Sequence, residues 1–280
     1  MSQSRLSGRA GLAVGGLVLA AGALVAGCSD GTAPSSTVTT SGTHATQLPT
    51  YDALKEALKA VQQEDNGGLG FNMWGTLVDR RGVITAVAFT GDSPTDEWPG
   101  SRVISAQKAN TANAFSLTGF ALSTANLYAA TQPGGSLFGL QESNPVNDQL
   151  AYEGEVADFG STKDPLLGKK LGGVNVFGGG LALYGSDGVL LGALGVSGDL
   201  SCADHIIAWK LRDRLGLDFV PAGVNTNNEP SPSGDDNIIF DLDNKDKSAG
   251  GFGHPVCNDA TEEIGENLPT THPLGDATGA

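Results

Sequence analysis

The chain is 280 residues long and carries 16 Lys and Arg against 31 Asp and Glu, a formal net charge of −15. A surface this acidic repels phosphate backbones and anionic headgroups, which excludes nucleic acid and charge-driven membrane binding as functions.

The first 27 residues read as an export signal. Arg5 and Arg9 form a basic start with no acidic residue. The run AGLAVGGLVLAAGALVAG (10–27) is apolar but too rich in glycine and alanine for a good transmembrane helix. It ends in Val25-Ala26-Gly27-Cys28, which is similar to a bacterial lipobox. Cys28 is therefore expected to carry lipid and to become the mature N-terminus, holding the protein to the extracytoplasmic side of a membrane. Plain secretion and an uncleaved anchor are the alternatives. Removal of residues 1–27, which hold two arginines and no acid, takes the charge from −15 to −17. Residues 28–48, rich in Ser, Thr, Gly and Ala, cannot bury enough surface to fold and read as a tether; His44 within it is a solvated side chain.

Beyond the tether, Tyr51, Leu54, Leu58 and Val61 share one helical face, closed by Asn66-Gly67-Gly68. The runs 71–79 and 83–90 flank Arg80-Arg81-Gly82 and predict a β-hairpin. After Pro99-Gly100, the positions Ile104, Lys108, Ala112 and Phe115 recur at helical spacing. A second, short helix over 124–131 stops at Pro133-Gly134-Gly135. A polar insertion (141–168) follows, then GGVNVFG (172–178), LALYG (181–185) and VLLGALGVSG (189–198), separated by glycine-rich turns and expected to pair antiparallel. Ser201 to Leu215 predicts the last core helix, with Ser201 and Asp204 as a capping box and Gly216 as its stop. The element order gives an α+β domain over 49–216, its core at about 66–216: a single antiparallel sheet flanked by helices. Residues 217–280 hold 12 acidic residues and two lysines, Lys245 and Lys247, and read as an acidic C-terminal extension.

Several short patterns touch known chemistry. Ser105-Ala-Gln-Lys108 has the spacing of an acylating serine beside its lysine, but no Ser-Asp-Asn, Tyr-x-Asn or Lys-Thr-Gly accompanies it. Gly195-Val-Ser-Gly-Asp199 ends in aspartate where a nucleophile elbow has glycine. It reads as a strand entering a helix N-terminus whose free N–H groups can hold an anion. Asp241-Leu-Asp243-Asn-Lys-Asp246 lacks the glycine and glutamate of a calcium loop and reads as a solvated acidic turn. Neither a catalytic residue nor a metal ligand is assigned. Cys202-Ala-Asp-His205 and His254-Pro-Val-Cys257 are mirror images with zinc-like spacing, yet export favours a Cys202–Cys257 disulfide over zinc or free thiols.

Five further motifs stand in order: Val78-Asp79-Arg-Arg-Gly82, Lys108-Ala-Asn-Thr111-Ala112 with Phe115, Gln132-Pro-Gly-Gly-Ser-Leu-Phe-Gly-Leu140, Gly172-Gly-Val-Asn-Val176, and Gly192-Ala-Leu-Gly195-Val-Ser197-Gly198 with Asp204. Together they resemble the GlcG/HbpS-like haem-binding family, also called the haem-degrading domain, over roughly 70–216. The resemblance implies a profilin-like sheet and an oligomeric, haem-binding protein; some secreted members report to a membrane sensor. It places haem beside Lys108, Thr111 and Phe115 and the Gly195, Ser197, Gly198 turn. Lys108 would meet a propionate, Phe115 would offer an aromatic edge, and the turn's N–H groups would take the other carboxylate. Met73, Tyr128 and His205 have ligand chemistry but read as packing. This sequence departs from the family at Gly82-Val83-Ile84, where members commonly carry Gly-His-Leu, and around Thr90, where a methionine is often found. The resemblance thus leaves a haem-binding or haem-sensing lipoprotein, a non-catalytic oligomeric module for another ligand or protein, and a haem-degrading or peroxidase-like enzyme as readings.

Overall fold

Thr50 opens the first helix by accepting the Ala53 amide on its side chain, and α1 (Tyr51–Gln62) buries Leu54, Leu58 and Val61. Each such side chain contributes about 1.5–3 kcal/mol. The computed structural model describes residues 47–224, 230–231 and 234–276. The export segment, Cys28 and nearly all of the tether lie outside them.

β1 (Trp74–Asp79) and β2 (Ile84–Phe89) form the expected hairpin, and Gly82 at its turn has φ +73°, a conformation that favours glycine. α2 (Gly100–Phe115) follows, then a 3-10 turn (Ala125–Leu127) running into α3 (Tyr128–Thr131). The polar insertion holds the short helices α4 (Leu140–Ser143) and α5 (Asp148–Ala151). β3 (Gly180–Tyr184), β4 (Leu190–Ser197) and α6 (Ser201–Arg214) complete the domain. The sheet is antiparallel throughout, in the order β2-β1-β4-β3.

Alternation along each strand divides the interior in two. Leu77, Leu183 and Leu194 face α1 and α6, while Trp74, Val78 and Ala193 share the other core with α2. The alanines of α2 let it lie close on the strands. At Gly195 the approach is closest, because a Cβ there would collide with the Ser105 carbonyl and reach within 2.5 Å of the Ala109 amide.

Two expectations are corrected. Residues 172–178 are not a strand; their one ladder contact is a bridge from Gly172 to Val146. Helix side chains take their backbone groups instead: Asn110 donates to the Gly173 carbonyl, Thr111 accepts the Asn175 amide, and Thr124 donates to the Phe177 carbonyl. Nor is there a capping box on α6, whose N-cap is Leu200 with no side-chain cap. Asp204 is drawn away by a partner on α2, described below.

The C-terminal acids are not all solvated. β5 (Gly223–Val224) pairs with β6 (Pro230–Ser231), and α7 (Asp259–Thr271) packs on α6, placing Leu268 in the core. Asp236 is buried against Arg212, with two contacts of 2.7 Å. Trp209 donates from Nε1 to the His272 carbonyl at 2.9 Å. The structure joins Cys202 and Cys257 as a disulfide between the start of α6 and the segment before α7.

Candidate functional site

The structure does bring α2 and the 195–198 segment together, but as packed interior. Lys108 is fully buried; its Nζ donates to Asp204 Oδ2 at 2.7 Å and to the Val196 carbonyl at 3.0 Å, and lies 4.9 Å from the centre of the Phe177 ring. Burial pushes the Asp204 carboxyl up to about 6 and the Lys108 amine down, so each charge is held by the other. Thr111 is equally enclosed, donating to the Gln107 carbonyl at 2.8 Å. Phe115 is half-buried at the end of α2. Gly195 lies under α2, Ser197 pairs with Trp74, and a Cβ on Gly198 would meet Met73 Sδ at 2.8 Å. Ser105 is spent on Thr76, 2.7 Å away, and on the Arg102 carbonyl.

The strand-to-helix turn is filled by the chain's own carboxylates. Asp199 accepts the amides of Leu69, Gly70 and Leu200, and its own amide donates to Asp204 Oδ1 at 3.0 Å. As folded, the Lys108 ammonium is taken by Asp204 and the Val196 carbonyl, and the Asp199 and Leu200 amides by carboxylates of the chain itself, so the expected propionate contacts would have to displace these partners.

An open cleft of about 580 Å³ lies elsewhere on the same helix. The β1–β2 turn supplies Arg81 and Gly82, the middle of α2 supplies Asn110, and the insertion and the segment after it supply Asn147, Gln149 and Lys170. Its volume falls within the range of about 300–1,000 Å³ typical of small-molecule sites. Arg81 is exposed and steadied by Asp79, with Nε and Nη2 at 3.0 and 2.8 Å from Oδ2. Burial alone would raise the Asp79 carboxyl, but Arg81 and the amides of Val83 and Arg81 hold it below its ordinary value. Lys170 is exposed and enters no ion pair among the described residues. The cleft thus offers two cationic side chains, Arg81 already paired with Asp79, together with several amides and one carboxylate, Asp148, which leaves Lys170 as the lining cation outside any ion pair among the described residues.

The sequence pointed to none of these as binding residues. Its one signal was the Gly82-Val83 departure, which falls at the lip of the cleft. Other groups with metal-ligand chemistry stand apart from it. Met73 is buried in the core shared by the sheet, α1 and α6, and Tyr128 leans on His254 with ring centres 5.2 Å apart. His205 is buried and accepts the Ile238 amide on Nε2, and His254 accepts the Gly178 amide. Burial, first of all, pushes His205 down to about 3 and His254 to about 4, so both stay neutral. A haem in the cleft would find partners for its carboxylates but no imidazole, thioether, phenol or thiol among the lining side chains; Lys170 is the lining group with an amine nitrogen.

The helix-flanked antiparallel sheet with a cleft at its hairpin defines an α+β domain. The sequence model of the haem-degrading, HbpS-like family matches residues 50–212, and the chain belongs to that family. No curated relative matches it. Among solved structures, a PduOC–haem complex is 27% identical over 60% of this chain and 94% of that chain, with a TM-score of 0.42. The Klebsiella pneumoniae protein ORFY is 23% identical over 64% and 97%, with a TM-score of 0.41. A double mutant of Streptomyces reticuli HbpS is 16% identical over 65% and 97%, with a TM-score of 0.35.

Proposed function

We propose that this protein is a lipid-anchored, haem-binding protein of the cell envelope, fixed to the membrane through Cys28, assembling with copies of itself and able to report to a membrane sensor. The observation that carries the haem reading is membership of a family described as haem-degrading and HbpS-like. The hairpin cleft supports it through Lys170 and through Arg81, which would share its charge between Asp79 and a ligand carboxylate, against one opposing lining carboxylate, Asp148. When bound, haem would supply an iron centre, and Arg81 and Lys170 would hold its carboxylates. One observation favours a second reading, a module for a different carboxylate-bearing ligand: Val83 stands where family members commonly carry histidine.

Haemin titration of the mature protein, followed by Soret absorbance, tests the proposal. Saturable binding is expected, and Arg81→Ala and Lys170→Ala should each weaken it about tenfold, the size of one charge-assisted contact near 1.5 kcal/mol. Weak, unsaturable uptake unchanged by either substitution would move the assignment to the second reading. Cys28→Ala should release the protein from membranes or leave its precursor unprocessed; wild-type protein found wholly in the aqueous phase of a detergent extraction would refute the anchor.

A further inference from the structure

A second concavity opens where α2 begins. It holds about 250 Å³ and is walled by Trp74, Pro94, Pro99, Val103, Val156 and Phe159. Arg102 stands behind it with its charge spent: Nε donates to Asp164 Oδ2 at 2.9 Å, Nη1 donates to the Ala151 carbonyl at 3.0 Å, and the guanidinium lies 3.8 Å from the centre of the Phe159 ring. The pocket interior is therefore apolar and without a free charge.

Its surroundings are unusual in two respects. Two large side chains of its lining stay exposed, Tyr152 at 73% and Val156 at 53%; Trp98, next in sequence to the wall residue Pro99, is 52% exposed and stands edge-on to Phe71 with ring centres 5.4 Å apart. The two segments forming the walls, 91–101 and 151–160, carry six acidic residues (Asp92, Asp96, Glu97, Glu153, Glu155 and Asp158) and no lysine, arginine or histidine. Asp92, Asp96, Glu153 and Glu155 are exposed and form the rim, Asp158 is half-buried and Glu97 is buried; none of the six enters an ion pair among the described residues.

An apolar pocket with exposed aromatics and a charged rim has the anatomy of a protein-binding hot spot. A small ligand filling the pocket would leave Trp98 and Tyr152 in water. Anionic membranes and nucleic acids are repelled by the rim. A second copy joined by a two-fold axis would set this acidic surface against itself. We propose that this face docks a basic segment of another protein, which inserts one aromatic or branched aliphatic side chain into the pocket. The lysines or arginines beside that side chain meet the acidic rim.

Three pentapeptides with blocked ends serve as probes of the full mature chain: KKFKK, KKAKK and EEFEE. Binding is read from amide shifts in labelled protein and from tryptophan emission, to which Trp74 in the pocket wall contributes. KKFKK is expected to saturate, with shifts centred on 91–101 and 151–160, and the other two to bind at least tenfold more weakly. Glu153→Lys with Glu155→Lys should cost KKFKK at least tenfold and improve EEFEE; both glutamates are exposed, so the change acts on binding rather than folding. Equal binding of KKFKK and EEFEE, or shifts elsewhere on the domain, would overturn the proposal. So would self-association seen by sedimentation and abolished by Val156→Lys, which would assign this face to a second copy.

Discussion

Replacing Lys108 by methionine keeps most of the side-chain stem and removes the ammonium. Asp204 is then left buried without its partner, 2.7 Å away in the native protein, and the Val196 carbonyl loses a donor. Breaking a buried pair on one side costs about 3–5 kcal/mol. That is a large part of the 5–15 kcal/mol by which domains are ordinarily stable. With a urea slope of about 2–3 kcal/mol per molar for a domain of this size, the midpoint should fall by roughly 1–2.5 M. The sign of the pH dependence follows from Asp204, whose carboxyl is already pushed up to about 6 by burial. A folded-state value above the unfolded one, near 3.9, means that the folded state holds the proton more tightly. The variant should therefore recover stability as pH falls from 7 through 6, because a neutral Asp204 needs no partner. Urea unfolding at pH 7.5 and 5.5, with haemin titration under conditions where both proteins are folded, makes the test. A stability loss below about 1 kcal/mol together with a tenfold loss of haemin affinity would show that Lys108 faces a ligand, and the buried-pair account would be wrong.

The neutral histidines act in the opposite direction. With His205 held at about 3 and His254 at about 4, against an unfolded value near 6.5, their contribution is complete above about pH 6.5 and is lost as pH falls toward 4 and then 3. Each adds a slope of up to about 1.4 kcal/mol per pH unit. His254→Gln should flatten the decline measured by urea unfolding between pH 6.5 and 4.5, and an unchanged slope would rule out this role. Cys257→Ser opens a bridge spanning a sequence separation of 55 and should cost about 2–4 kcal/mol. Thiol labelling of denatured, unreduced wild-type protein should find Cys202 and Cys257 unreactive.

Local signals carried much of the fold. The hairpin at Arg80-Arg81-Gly82, the helices from Tyr51, Gly100 and Ser201, and the β3–β4 hairpin are set by periodicity and turn residues, which act over a few positions. What the sequence hid was set by partners far along the chain. Asp204 looks like a capping residue until Lys108, 96 residues earlier, claims it. The 172–178 run has the composition of a strand, but side chains of α2, with Thr124 and His254, satisfy its backbone. The acids after residue 217 look solvated by count, yet Asp236 is neutralised by an arginine on α6. A clue to the first case was present: Lys108 and Asp204 are both motif positions of the family and opposite in charge. The cleft residues Arg81, Asn110 and Lys170 lie on three separate segments, and no single pattern could join them.

Three arginine or lysine side chains enclosed with aspartates, Arg102–Asp164, Lys108–Asp204 and Arg212–Asp236, tie α2 and α6 to distant segments. Their seclusion determines how the protein answers dissolved ions. Electrolyte screens charges that water reaches and leaves enclosed pairs largely untouched. The outer surface, by contrast, carries an excess of carboxylates that repel one another, and screening relieves that repulsion. Raising ionic strength should therefore tighten this fold rather than loosen it, the reverse of a protein held by bridges on its exterior. A domain so arranged keeps its shape where the salinity of its surroundings is not under the cell's control.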